Sequence, residues 1–243
     1  MNYSREENAI GLARIAEVMR ADERTALFAT YCEQREKGLK KPALRSLNAF
    51  IAEYKTWPLP SQREWLNRIM KMHLANPDVR HLLPHPLKQA FVIVLREWVE
   101  ADLSEPAPCR WLGVLLHSEP NEADPERWFE QAIARDLHDD YSRLRWAHSY
   151  VRAAEFWCHH IPEGLIDTPE QTRSALHEAE AILAPIAHTE RGQAMQKAIT
   201  DLRNLLSDWL AFQASKHTDF NTWCTEEKGR AWSMPSVYSF STE

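Results

Sequence analysis

The sequence predicts an all-α protein built as an array of antiparallel helix pairs. Three observations carry that expectation. Alanine and leucine supply 29 and 25 of the 243 residues against 8 valines, a balance that favours helix over strand. Apolar residues recur at three- and four-residue steps through most of the chain, and no segment shows the strict alternation of a half-buried strand. Glycines number only six, and eleven of the fourteen prolines, from Pro58 to Pro169, punctuate the joints between periodic stretches.

Taken in order, the pattern places helices at 5–20, 22–37, 43–55, 61–75, 86–103, 108–117, 125–136, 140–159, 169–187, 192–215 and 219–228. Leu66, Ile69, Met70, His73 and Leu74 form one stripe, preceded by Ser61 and Glu64 at capping-box spacing. Leu87, Ala90, Phe91, Val94, Leu95 and Trp98 form the next, between Pro86 and the Ser104–Pro106 break. Thr168-Pro169-Glu170-Gln171 supplies an N-cap, a proline at the first helical position and a glutamine at the third. Ala175, Leu176, Ala179, Ile182, Leu183 and Ile186 follow it, and Met195, Ile199, Leu202, Leu206 and Trp209 line a further helix. The 140–159 helix is apolar on two sides. Leu144, Ala147, Val151 and Ala154 lie on one and Trp146, Tyr150, Ala153 and Trp157 on the other, which predicts a pillar buried all round.

A single helical domain over 1–243 is expected, with a soft boundary at 104–108 and an irregular tail at 229–243. Trp232, Tyr238 and Phe240 in that tail predict docking, on the protein itself or on a partner. Hydrophobic residues make up 44% and charged residues 26%, mean hydropathy is -0.52, and no apolar run approaches the roughly 18 residues of a membrane span. A charged amino terminus lacks the apolar stretch of a signal peptide. The expectation is a soluble cytoplasmic protein with no membrane partner.

The formal net charge of -6 and pI of 6.0 argue against a nucleic-acid partner, since phosphate binding draws on a basic excess. The one compact basic run, Lys37-Gly38-Leu39-Lys40-Lys41 with Arg45 after it, reads as a solvated helix end. Cys32, Cys109, Cys158 and Cys224 are scattered without a CxxC pair and read as reduced, buried thiols. Neither a dinucleotide-binding GxGxxG, nor a P-loop, nor a GxSxG nucleophile elbow occurs. Most of the ten tryptophans are expected in the core.

Arg110-Trp111-Leu112-Gly113 aligns with Leu144-Arg145-Trp146-Ala147 at a 34-residue offset, and Leu116 with Tyr150. Between them, Pro125 to Leu137 has the pattern of a repeat's second helix, with small residues at Gly113, Ala132 and Ala147 and aromatics at Phe129 and Tyr150. Over about 105–155 the chain therefore resembles a tetratricopeptide repeat, for roughly one and a half units. Leu137 stands where that family most often has proline, and the period fails beyond Tyr150. The resemblance implies an α-α superhelix used as a binding scaffold, its first helices presenting Arg110, His117, Tyr141, His148 and Arg152 to a partner. Each of those residues is equally compatible with an ordinary surface or core role.

Other constellations touch on catalysis. His138-Asp139 resembles the His-Asp pair of the HD metal-dependent phosphohydrolases, with His117 and Asp201 or Asp208 to complete the set. The pair also falls where the repeat requires a polar turn. Cys158-His159-His160 gathers soft ligands, but successive helical residues point apart, and a helix C-terminus favouring protonated histidine accounts for them. His81 and His85 have i,i+4 spacing, yet Pro84 and Pro86 break a helix there.

Together these readings lead to a non-enzymatic module that binds a partner protein through a helical groove, as an inhibitor, immunity or adaptor protein. It needs no cofactor, no metal and no catalytic residue, and the net acidity suits a basic partner. The competing reading is a metal-dependent hydrolase of HD type centred on His138 and Asp139.

Overall fold

Eleven α-helices and no strand make up residues 5–117 and 124–232, the residues described by the computed structural model. They are α1 (Arg5–Arg20), α2 (Ala26–Glu36), α3 (Lys40–Tyr54), α4 (Leu59–Ala75), α5 (His85–Ala101), α6 (Ala107–Leu116), α7 (Arg127–Arg135), α8 (Asp140–Cys158), α9 (Pro169–Leu183), α10 (Glu190–Gln213) and α11 (Phe220–Trp223). Short 3-10 turns lead into α2 (Glu23–Thr25) and follow α9 (Ala184–Ile186). The chain is all-α. None of its described helices is long and apolar enough to cross a membrane.

Local chemistry explains the helix ends. Thr168 caps α9, its side chain accepting from Gln171 N at 3.1 Å, with Pro169 at the first position. Pro60, Pro86 and Pro108 occupy the first turns of α4, α5 and α6, where a missing N–H costs nothing. The expected Ser61 cap does not form, because α4 begins earlier, after Pro58, and Ser61 sits inside its first turn. Leu59 and Pro60 extend the helix by a half-turn, and a proline early in a helix is preorganised for it.

Between α2 and α3 the basic run is a solvated helix end. Gly38 has φ 75°, Gly38 N donates to Arg35 O at 3.0 Å and Leu39 N to Gln34 O at 2.8 Å. That pair of bonds closes a Schellman motif, which needs a left-handed residue at this position. Lys37, Lys40 and Lys41 are all exposed.

Contacts group the chain into two compact units, residues 1–135 and 136–243. In the first, α1 to α7 pack largely on their neighbours in sequence around an aromatic centre. Phe50 and Trp65 lie 4.6 Å apart, Phe28 meets Trp65 edge-on at 5.2 Å, and Tyr54, Trp57 and Phe91 close the cluster. Every residue of the Leu87–Trp98 stripe is buried. Gly113 of α6 faces Phe129 of α7 so closely that a Cβ there would lie 2.5 Å from the ring.

In the second unit α8, α9 and α10 pack on one another through Ala147, Val151, Ala154, Leu176, Ala179, Leu183 and Ile199. A smaller cluster under the carboxyl-terminal end joins Cys158, Ile161, Phe220, Trp223 and Cys224. The chain leaves α11 through a π-helical turn (Cys224–Lys228) and a left-handed Gly229. It then returns to α10, where the buried Asp208 carboxylate accepts from Arg230 at 3.2 Å and Trp232 Nε1 at 3.1 Å. Trp232 thus docks on its own unit, whereas Tyr238 and Phe240 lie outside the described residues.

Helix α8 departs from the buried pillar expected of it. Ala147, Val151 and Ala154 are buried, but Trp146, Tyr150, Ala153 and Trp157 are only half-buried and Phe156 is 59% exposed. Two helices pack on α8 within its unit, and two neighbours cannot cover a whole helical circumference. Of the ten tryptophans, Trp65, Trp98, Trp111 and Trp223 are buried and the other six half-buried.

Candidate functional site

A groove of about 450 Å³ runs between α8 and α10. Its first wall is one stripe of α8, where i, i+3 and i+4 steps bring Tyr141, Leu144, Arg145, His148, Val151 and Glu155 to one side. Its second wall is the start of α10, which contributes Arg191, Ala194, Met195 and Ala198 by the same spacing. Two N-caps fix the walls. Asp139 opens α8 by accepting from Ser142 N at 3.0 Å, and Thr189 opens α10 by accepting from Gly192 N at 3.0 Å.

Glycine at 192 has a steric reason as well. A Cβ there would fall on the Ile186 carbonyl oxygen, so the backbone reversal that positions Arg191 admits no larger residue.

The floor of the groove is apolar, formed by Leu144, Val151, Met195 and Ala198, and the rim is charged. Glu155 is held at 3.0 Å by Arg152, which offsets its charge. Arg145 and Arg191 make no ion pair among the described residues, and Arg145 Nε is buried without a hydrogen-bond partner. Arg191 moreover stands in the first turn of α10, where the helix dipole disfavours a cation.

The surroundings have the opposite sign. Residues 136–243 contain 10 basic and 16 acidic side chains, against 19 of each in 1–135. The whole net charge thus belongs to the unit that carries this basic rim.

Of the five residues expected to face a partner, the structure brings Tyr141 and His148 into the groove. Arg152 is on the same helix but exposed, turned to Glu155 rather than into the groove. Arg110 and His117 belong to the other unit. Arg110 lies over the ring of Trp111 at 5.6 Å, and His117 Nδ1 is 3.7 Å from Glu126. A second depression, about 610 Å³, is lined by α4 and its C-cap alone, from Glu64 to Asn76, and lacks a facing wall.

Arg145 was legible in the sequence as the i+4 neighbour of Tyr141. Arg191, Ala194, Met195 and Ala198 were not, because nothing local pairs them with a helix some fifty positions earlier.

The carboxylates offered for metal chemistry are engaged elsewhere. Asp139 is buried, with Oδ1 on Ser142 N and Oδ2 accepting from Ser142 Oγ at 2.8 Å, while His138 is exposed beside it. Asp208 holds Arg230 and Trp232, and Asp201 pairs with Lys197 at 2.6 Å. Among the described residues no three His, Cys, Asp or Glu side chains are placed to hold one metal ion.

At the end of α8, His159 and His160 are exposed and their rings lie 4.0 Å apart. Cys158 instead points into the core, and burial pushes its thiol up to about 11. All four cysteines are free and buried.

No protein-family model, curated protein or solved structure matches the chain.

Proposed function

We propose that this chain is a non-enzymatic interaction module that holds a partner protein in the groove between α8 and α10, as an adaptor or as an inhibitor of the immunity type. The observation that carries the reading is the groove itself. An apolar floor flanked by polar side chains on two rigid helices is the geometry by which proteins take up a segment of another protein. Tyr141 adds an amphipathic aromatic, a residue type that anchors interfaces at low entropic cost. The tetratricopeptide-like pairing of α6 and α7 belongs to the same proposal. It is supported by the close approach of Gly113 to Phe129, a small residue meeting an aromatic across a helix pair. We place the protein in the cytoplasm, a setting in which four free, buried thiols persist.

The test is affinity capture of tagged protein from lysate of its source cells, run in parallel with Ala194→Trp, which fills the groove from the exposed side of α10. A stoichiometric partner captured by the wild type and lost with Ala194→Trp carries the reading. A partner retained equally by both places the interaction elsewhere and refutes it.

A further inference from the structure

We infer that the occupant of the α8–α10 groove is a short, acidic, amphipathic helix of another protein, an inference that rests on the groove-binding reading above. Three features of the site point to it. The α8 wall runs from Tyr141 to Glu155, about 21 Å at the rise of an α-helix, so it matches a ligand helix of about four turns. The floor offers Leu144, Val151, Met195 and Ala198 to the apolar stripe of such a helix. Met195 is a side chain that adapts its shape to what lies on it.

Charge sets the sign of the ligand. Arg145 and Arg191 rise from opposite walls with no ion pair among the described residues, and Glu155 is already engaged by Arg152. A guanidinium that lines a groove without an ion pair is open to a carboxylate. One in the first turn of a helix opposes that helix's dipole. A ligand carboxylate offers the first a partner and relieves the second, and Arg binds carboxylates through paired N–H donors. The acidic excess of the surrounding unit disfavours an acidic ligand in general, so the two arginines make this rim a favoured place for one.

The experiment pans a phage-displayed library of random peptides, about sixteen residues long, against the full chain. Three variants follow: Arg191→Glu, Arg145→Gln and the groove-filling Ala194→Trp, each checked for unchanged far-UV circular dichroism. Expected are binders rich in Asp, Glu, Leu and Phe at helical spacing. Arg191→Glu weakens them about tenfold or more and Arg145→Gln less, Ala194→Trp abolishes binding, and affinity falls as salt rises.

Binders lost on Ala194→Trp yet rich in Lys and Arg, or indifferent to both arginine substitutions, overturn the acidic assignment and leave the groove-binding reading standing. Binders insensitive to all three variants, or none at all, overturn both. The exposed Arg191 serves as the primary probe because its replacement disturbs no packing.

Discussion

Replacing Gly113 with alanine sets two opposed effects against each other, and the structure decides which is larger. In an isolated helix the change stabilises by about 1 kcal/mol, because glycine surrenders more backbone entropy than alanine. Here the new Cβ would lie 2.5, 2.7 and 2.8 Å from Cε1, Cδ1 and Cζ of Phe129, well inside van der Waals contact. The ring has no room to yield, since Phe129 is wholly buried and a packed interior transmits such strain.

Overpacking of this kind costs about 1–3 kcal/mol, so Gly113→Ala is expected to destabilise by a net amount of up to about 2 kcal/mol. For a chain of this size the upper end of that range lowers the midpoint of thermal unfolding by about 4–8 °C, read by far-UV circular dichroism. The double variant with Phe129→Leu isolates the cause. With the ring gone the added methyl meets space, and the same substitution is expected to become neutral or mildly stabilising. A stabilised Gly113→Ala, or an equal cost in both backgrounds, would refute the assignment of the contact to Phe129.

Two further predictions follow from the second unit. Asp139→Ala removes the cap of α8 and strands the buried Ser142 hydroxyl. It is expected to cost about 2–3 kcal/mol in urea unfolding, whereas the exposed His138→Ala stays within about 0.5 kcal/mol. Loss of stoichiometric bound metal in either variant, read by elemental analysis, would instead revive the hydrolase reading.

Glu180 accepts from Arg203 and Gln196, each at 2.7 Å, and the Arg203 bond chiefly lowers its pKa below the ordinary 4.5. A lowered carboxylate contributes stability above its unfolded value and loses it as pH falls through the folded value. Both side chains of the pair are more than a third exposed. Glu180→Gln is therefore expected to cost only about 0.5 kcal/mol at pH 7, with wild type and variant converging in urea titrations well below pH 4.5. A gap that persists at pH 3 would show that the ion pair is not its source.

The helices themselves were legible because their signals are local. The Leu87–Trp98 and Ala175–Ile186 stripes are buried in full, since period and burial are two expressions of one amphipathic pattern. The Thr168 cap formed because its proline and glutamine fix the first turn from neighbouring positions. Ser61 carried the same kind of signal and did not cap, because Pro58 and Pro60 start α4 upstream of it. Two apolar sides on α8 were equally plain in the sequence. How far each is covered depends on neighbouring helices, and the pattern says nothing about their number.

The site divides in the same way. Tyr141 and His148 were named only because the tetratricopeptide resemblance implies that they face a partner, and the sequence supplied no reason to join them to Arg191 and Met195. That union is made where α8 and α10 share a core through Val151 and Ile199, and long-range packing leaves no local mark. The charge contrast is likewise invisible to composition, which sums -6 over the chain and hides two uncompensated arginines facing a groove. By itself the sequence determined the helical class, the approximate place of each helix and the apolar face of most of them, because backbone propensity, capping and periodicity act within a few residues. Which faces meet, what they leave uncovered and which sign of charge gathers there were decided only by tertiary packing, whose contacts join residues that the chain holds far apart.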